Sequence, residues 1–273
     1  GMAEHLYKHE QAFKTIIDEC AGILLPILKV DIRTIAFNDP TKTDQHFDIN
    51  ETWLTQPVLF AIEYALAKLW MSYGVVPDAM IGHSLGEYVA ATLSGVFDLP
   101  TALNLVSTRG KLIWNLDRGA MLAIALDADQ AKKYMTGELS LAAINSSDSC
   151  VIAGPFVAID ALAVRLEQDG IIAKKLQTSH AFHSSMLDPA LTEFDALLKT
   201  LNFKAPTTPF VSNLTGGWIT SEQAMNTQYW VDHMRQAVLF NKGLDTVLEN
   251  NDTILLEVGP GAVLSSLARK HVL

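Results

Sequence analysis

The stretch DAMIGHSLGEYVAATLSGVF, Asp78–Phe97, holds one serine, Ser84, between two glycines, Gly82 and Gly86. Ala79–His83 is a short apolar run that reads as a strand, and Leu85–Ser94 reads as a helix. A strand, a Gly-x-Ser-x-Gly turn and a helix together form a nucleophile elbow, which exposes the serine oxygen on a strained backbone. Side chains two residues before and two after the serine would collide in so tight a turn, so glycine is expected at both places. The Leu85 backbone N–H then points to where negative charge develops on an attacked carbonyl, and the helix dipole favours that charge. Stripped of this context, the five residues describe only a glycine-bearing turn.

Working outward, the chain before the elbow is helical. Residues 4–28 carry Leu6, Phe13, Ile16, Ile17 and Cys20 on one face, and Phe37–Glu51 is a polar loop. Asn50 reads as the N-cap of a long helix, Glu51–Tyr73, which Pro57 interrupts and Gly74 ends. Leu99–Leu116 is a further helix. The character then changes. Ala120–Leu126, Leu139–Ile144, Cys150–Ala153 and Ile171–Leu176 read as strands, with helices at Asp129–Tyr134 and Phe156–Gln168. This βαββαβ order is that of a ferredoxin-like unit. Beyond Ser184 the pattern returns to a helix, Leu187–Thr200, and to strands at Pro209–Ser212 and Thr253–Val258, the last closed by Gly259-Pro260-Gly261 before a short helix. The middle segment therefore reads as an insertion in a larger α/β domain.

Composition narrows the function. Of 273 residues, 49% are hydrophobic and 18% charged, with a net charge of −10. That is ample material for a core, and it excludes a disordered chain. The acidic balance excludes a nucleic-acid binder, which needs a basic excess to displace counterions from phosphates. The most apolar helical stretch, Val58–Met71, is broken by Glu63 and Lys68 and falls short of the ~18 residues of a membrane span. No signal peptide is visible, and Cys20 and Cys150 have neither metal-type nor redox-type spacing. A cytoplasmic enzyme or enzyme domain without a metal is expected.

A serine hydroxyl needs a base. The densest histidine patch is SHAFHSSMLDP, with His180 and His183 where the inserted unit rejoins the core. Spacing alone does not say which of the two reaches Ser84.

At this point a resemblance becomes specific. TQPVLFAIEYAL, GHSLGEYVAA, RGKLIW, INSSDSCVIAG, SHAFHSSMLDP, VSNLTGGWI, YWVDHMRQAVLF and LLEVGPGAVL follow one another in order over almost the whole chain. Together they resemble the acyltransferase domain of modular polyketide synthases and, more widely, the malonyl-CoA:acyl-carrier-protein transacylases. The resemblance implies an α/β fold: an α/β-hydrolase-like parallel-sheet core, residues 1–118 and 182–273, with an inserted ferredoxin-like subdomain, residues 119–181. It implies Ser84 as the acylated nucleophile, His183 as its base and Arg109 as the grip on the carboxylate of the extender unit. A guanidinium can hold a carboxylate through two parallel hydrogen bonds, although an arginine at this spacing, taken alone, reads as a surface helix residue. Gln56 and Asn145 match polar positions near the family's site. His180 and Phe182 belong to its malonyl-type signature, where methylmalonyl-type members carry tyrosine–alanine–serine–histidine. Phe182 near the α-carbon would exclude an extra methyl, a discrimination worth about 1–3 kcal/mol.

The implied reaction moves a malonyl unit from a coenzyme A thioester to the phosphopantetheine thiol of an acyl carrier protein, in polyketide or fatty-acid biosynthesis. No cofactor is bound, and neighbouring synthase domains are expected partners if the chain is one domain of a longer protein. Two departures stand out. The family's chain begins earlier, with a strand and a glycine–glutamine–glycine turn that supplies a second oxyanion donor. The family's proline–valine–arginine–phenylalanine is here Ala237-Val238-Leu239-Phe240, and the Leu239 carbonyl is expected to orient the histidine. Two other readings compete. One is a serine acyl-thioester hydrolase, disfavoured because most α/β-hydrolases place the histidine late, after an acid, whereas His183 follows Ser84 by about a hundred residues. The other is a truncated, non-catalytic synthase domain.

Overall fold

The computed structural model describes residues 2–37, 47–250 and 252–272. Most of the expected 37–51 loop lies outside the described residues. The N-terminal part is helical: α1 (Met2–His9), α2 (Gln11–Leu28), α3 (Ile32–Ala36) and α4 (Thr52–Ser72). The expected 4–28 helix is thus two, broken at Glu10, whose backbone is extended. α4 buries residues on every side, from Leu54 and Phe60 to Ala65 and Leu69, as a helix enclosed by protein must. It packs against α2 and against α6 (Leu99–Trp114). Pro57 sits inside α4 without ending it. α6 starts where Asp98 accepts a hydrogen bond from Thr101 N (2.9 Å) and Pro100 occupies the first turn, a placement that proline favours. Between these helices lie β1 (Met80–Ile81) and α5 (Leu85–Leu93), with Ser84 as the joint.

The inserted unit follows the expected order: β2 (Ala120–Ile124), α7 (Ala128–Lys132), β3 (Ser140–Ser146), β4 (Ser149–Gly154), α8 (Phe156–Gln168) and β5 (Ala173–Lys175). Its antiparallel sheet runs β3-β4-β2-β5, the ferredoxin-like order. Its own core is built from Leu122, Ile124, Cys150, Ile152, Ile159, Leu162 and Leu166. Cys20 and Cys150 are both buried free thiols.

The chain then returns through a 3₁₀ turn (Ser185–Leu187), α9 (Asp188–Leu198), β6 (Phe210–Val211), α10 (Ser221–Met225), α11 (Thr227–Arg235), α12 (Phe240–Leu248) and α13 (Val263–Val272). β6 pairs in parallel with β1, Met80 with Phe210 and Ile81 with Val211. The strand expected at Thr253–Val258 does not form. The segment has no regular secondary structure and no ladder partner among the described residues, and Ile254 is 92% exposed. An apolar run has strand propensity, but a strand exists only where a neighbour pairs with it.

Among the described residues, no helix is long and apolar enough to cross a membrane, and no group of three His, Cys, Asp or Glu could hold a metal ion.

Candidate active site

The site is built on the joint between β1 and α5. Ser84 has φ 51° and ψ −108°, a backbone conformation that residues with a Cβ rarely adopt. Gly82 makes this turn possible. A Cβ there would lie 2.1 Å from the carbonyl carbon of Gly86 and 2.2 Å from the nitrogen of Glu87. Gly86 differs from the sequence reading: a Cβ there meets nothing nearer than Glu63 Oε2, 3.9 Å away. The collision is one-sided, because the backbone of Gly86 is what fills the space above Gly82. Leu85 is the first residue of α5, so its N–H is among those a helix leaves without an internal partner.

Ser84 Oγ lies 2.7 Å from His183 Nε2, 99 residues away in sequence. The other ring nitrogen, Nδ1, is 2.9 Å from the carbonyl oxygen of Gln236. A carbonyl only accepts, so Nδ1 carries the proton and Nε2 presents its lone pair to the serine hydroxyl. The orienting carbonyl is thus three residues earlier than expected. The Leu239 carbonyl instead accepts from Gly243 N (3.0 Å) in the first turn of α12, where a helix start consumes it. His183 is only 3% exposed and, like Ser84, has a positive φ, 56°. Burial, followed by the charges of Arg109, His233 and His83, holds its pKa well below the usual histidine range.

Arg109, on α6, is 2% exposed. Its Nη1 donates to Gln56 Oε1 on α4 (2.5 Å), and its guanidinium lies over the Tyr88 ring, 5.7 Å from the centroid. Nε and Nη2 have no hydrogen-bond partner among the described residues, and neither has Gln56 Nε2. Burial lowers the pKa of Arg109. Asn145, on β3, accepts from His83 Nε2 (2.8 Å), so the inserted unit bonds to the residue before Ser84. His180 is buried. Its Nδ1 lies 2.8 Å from Ser179 Oγ, which is 2.6 Å from Thr52 Oγ1. Its ring stands edge-on to Trp114, and it does not bond to Ser84. Phe182 is half-buried, 6.4 Å from the His180 ring, and packs against two separate core clusters.

Sequence reasoning passed over several residues that hold the site. Asn213 bonds both Gly82 O and Ser84 N. Glu87, fully buried, accepts from Asn213 N (2.8 Å) and from the Tyr229 hydroxyl, with His233 Nε2 3.2 Å away. The one signal that could have found Glu87 is its charge in an otherwise apolar helix. Asn213 carries no such signal.

A strained serine hydrogen-bonded to a buried histidine, with a buried arginine near that histidine, is the arrangement the elbow presents. The chain belongs to the acyl transferase domain family, whose model matches residues 1–272. It is 41% identical over 271 residues to a phenolphthiocerol/phthiocerol polyketide synthase polypeptide of Mycobacterium tuberculosis, covering 99% of this chain but 18% of that one. It is 33% identical over 283 residues to the polyketide synthase GfsA of Streptomyces halstedii, of which it spans 4%. Among solved structures, it is similar to the acyl transferase domain of SpnD in complex with 2-(pent-4-yn-1-yl)malonyl. That match has a TM-score of 0.90 and 39% identity, covering 98% of this chain and 63% of that one. The malonyl CoA-acyl carrier protein transacylase of Clostridium perfringens matches with a TM-score of 0.87 and 25% identity, covering 98% and 84%. The fold is therefore the α/β acyltransferase fold of these proteins.

Proposed function

We propose that this chain transfers a malonyl unit from coenzyme A to the phosphopantetheine thiol of an acyl carrier protein, through a malonyl ester on Ser84. Arg109 carries this reading. A buried guanidinium with two open donors is costly unless a ligand supplies an anion. A malonyl carboxylate fits it, through charge-assisted hydrogen bonds. The substituted malonyl group in the SpnD complex supports the same class of donor.

The steps follow from the tautomer. Ser84 Oγ attacks the thioester carbonyl carbon while its proton passes to His183 Nε2. The Leu85 N–H faces the developing oxyanion, and the Gln236 carbonyl supports the imidazolium through Nδ1–H. The C–S bond breaks and the coenzyme A sulfur takes the proton from His183. The carrier thiol then gives its proton to His183 and attacks the ester, and Ser84 recovers its proton on leaving. The kinetics are ping-pong, and no proton or electron is consumed. Phe182 and His180 limit what the α-carbon of the acyl group may carry, with Gln56 holding Arg109 in place. The protein would work beside other domains of a synthase, because the polyketide synthases it matches are several times longer, and a cytoplasmic place belongs to the same reading.

Mass spectrometry after exposure to malonyl-CoA or acetyl-CoA tests this. Malonyl mass is expected on the Ser84 peptide and absent in Ser84→Ala. Arg109→Ala should lose ten- to a hundredfold in kcat/KM for malonyl-CoA, from bonds worth about 1.5–3 kcal/mol, and little for acetyl-CoA. Equal losses for both donors would sink the carboxylate role. Release of free malonate in preference to carrier-bound malonyl would favour a hydrolase.

A further inference from the structure

We infer that Asn213 is a positioning residue that keeps the nucleophile and the base in register. Its side chain bonds the two peptide groups that flank His83. Nδ2 donates to Gly82 O and Oδ1 accepts from Ser84 N, each at 2.7 Å. The main-chain ladder between β1 and β6 ends one residue earlier, at Ile81 and Val211. Past that point Ser212 N turns away to Gly217 O (2.9 Å), so the elbow has no strand beside it. A carboxamide carries one donor face and one acceptor face, the same pair a neighbouring peptide would offer. Asn213, 3% exposed, thus completes the ladder with its side chain at the strained turn.

Its own backbone is fixed at both ends. Asn213 N donates to Glu87 Oε2 (2.8 Å), on the helix that follows the nucleophile. Asn213 O accepts from Leu239 N (2.8 Å), three residues after Gln236, whose carbonyl orients His183. One residue therefore ties the serine's turn to the segment that aims the base. Without it, the buried Gly82 carbonyl and the half-buried Ser84 N–H lose their partners and Ser84 is free to relax from φ 51°.

The inference rests on Ser84 and His183 being the acylated residue and its base. In the intact protein, with malonyl-CoA as probe, Asn213→Ala should slow acylation of Ser84 on the order of a hundredfold, the scale of a small misplacement of reacting groups, with KM nearly unchanged. Asn213→Asp gives a sharper readout. A neutral carboxyl has the donor and acceptor of the carboxamide, whereas a carboxylate has no donor for Gly82 O. The titratable groups around it are Glu87 on its own N–H, His83 between the two bonded peptides, His183 and His233 beyond Ser84, and Tyr229 on the far oxygen of Glu87. Acylation by Asn213→Asp should be near wild type at about pH 5 and fall at least tenfold by about pH 8, while the wild-type rate holds or rises. A purely structural role would not invert the profile. Parallel profiles, or a wild-type rate in Asn213→Ala, would overturn the inference, and if Asn213→Ala does not fold the aspartate profile decides alone. Persistent label in Ser84→Ala would instead overturn the assignment of the nucleophile, so the two failures are distinct.

Discussion

The surroundings of His183 favour its neutral ring, the form that the proposed general base needs. Burial is the largest cause, and the Arg109 guanidinium is the next. The folded-state pKa lies below the unfolded one, so the neutral ring's contribution to stability is intact above the unfolded value, about 6.5, and is lost as pH falls through the folded one. The acylation rate should therefore hold constant as pH drops through about 6.5 and decline only below it. Arg109→Ala removes a positive charge, which favours the imidazolium and moves the acid limb to higher pH. Stopped-flow acylation with acetyl-CoA measures this without the confounding loss of carboxylate binding. An acid limb that stays in place in Arg109→Ala would show that the arginine is electrostatically remote from the base. At this scale the sequence was informative where residue type and motif lead to a contact, as with Ser84 and His183, whose side chains meet at 2.7 Å. It was silent on Asn213 and wrong on Leu239, because hydrogen bonds between side chain and backbone across long stretches of chain leave no local pattern.

The elements show how much of a motif is geometry and how much is company. Gly82 has no room for a methyl group, since its neighbour would be backbone that cannot move. Gly86 has room, and it lies in the first turn of α5, where alanine is the better helix former by about 1 kcal/mol. Gly82→Ala should therefore abolish acylation or fail to fold, while Gly86→Ala should keep the fold and melt no lower than wild type. Thermal melts read beside acylation rates check both, and a Gly86→Ala variant as damaged as Gly82→Ala would contradict the one-sided collision. Long elements were legible: Phe156–Gln168 forms as read, and α4 begins within a residue of the expected start. Thr253–Val258 was misread because an apolar run says nothing of a partner, and Pro57 because a proline inside a buried helix forfeits one hydrogen bond without outweighing the packing on every side.

At the scale of the molecule, two sheets meet at the site across a shared cluster, in which Met121, Ala143 and Val151 of the inserted sheet pack with Val238, Phe240 and Ile81. Ala142 O accepts from Val238 N (3.0 Å) and Ile144 N donates to Val238 O (2.8 Å), so the segment after Gln236 is stitched to the inserted unit as well as to Asn213. The elbow comes from one body, while β3 supplies Asn145 from the other. Asn145→Ala strips His83 of its acceptor and loosens this junction. The expected effect is roughly a tenfold loss in kcat, in line with one buried hydrogen bond, with the melting temperature lower by a few degrees. Unchanged kinetics would mean that the His83 contact is passive. The division into a core and an inserted βαββαβ unit could be read from the order of strands and helices. The stitching could not, because a single parallel bridge such as Ala143 with Val238 has no periodicity to announce it.

The backbone of Ser84 has an evolutionary corollary. A residue held at φ 51° and ψ −108° is there against its own conformational preference, at a cost of about 1–3 kcal/mol, and glycine alone would sit there without strain. Ser84→Gly should thus melt above wild type while doing no chemistry, and differential scanning calorimetry would register the gain. Selection for turnover opposes selection for durability at this one codon. A descendant freed from catalysis would drift to glycine there rather than to alanine, so the replacement found in a silent copy would record that its loss of activity was old enough for stability to have taken over.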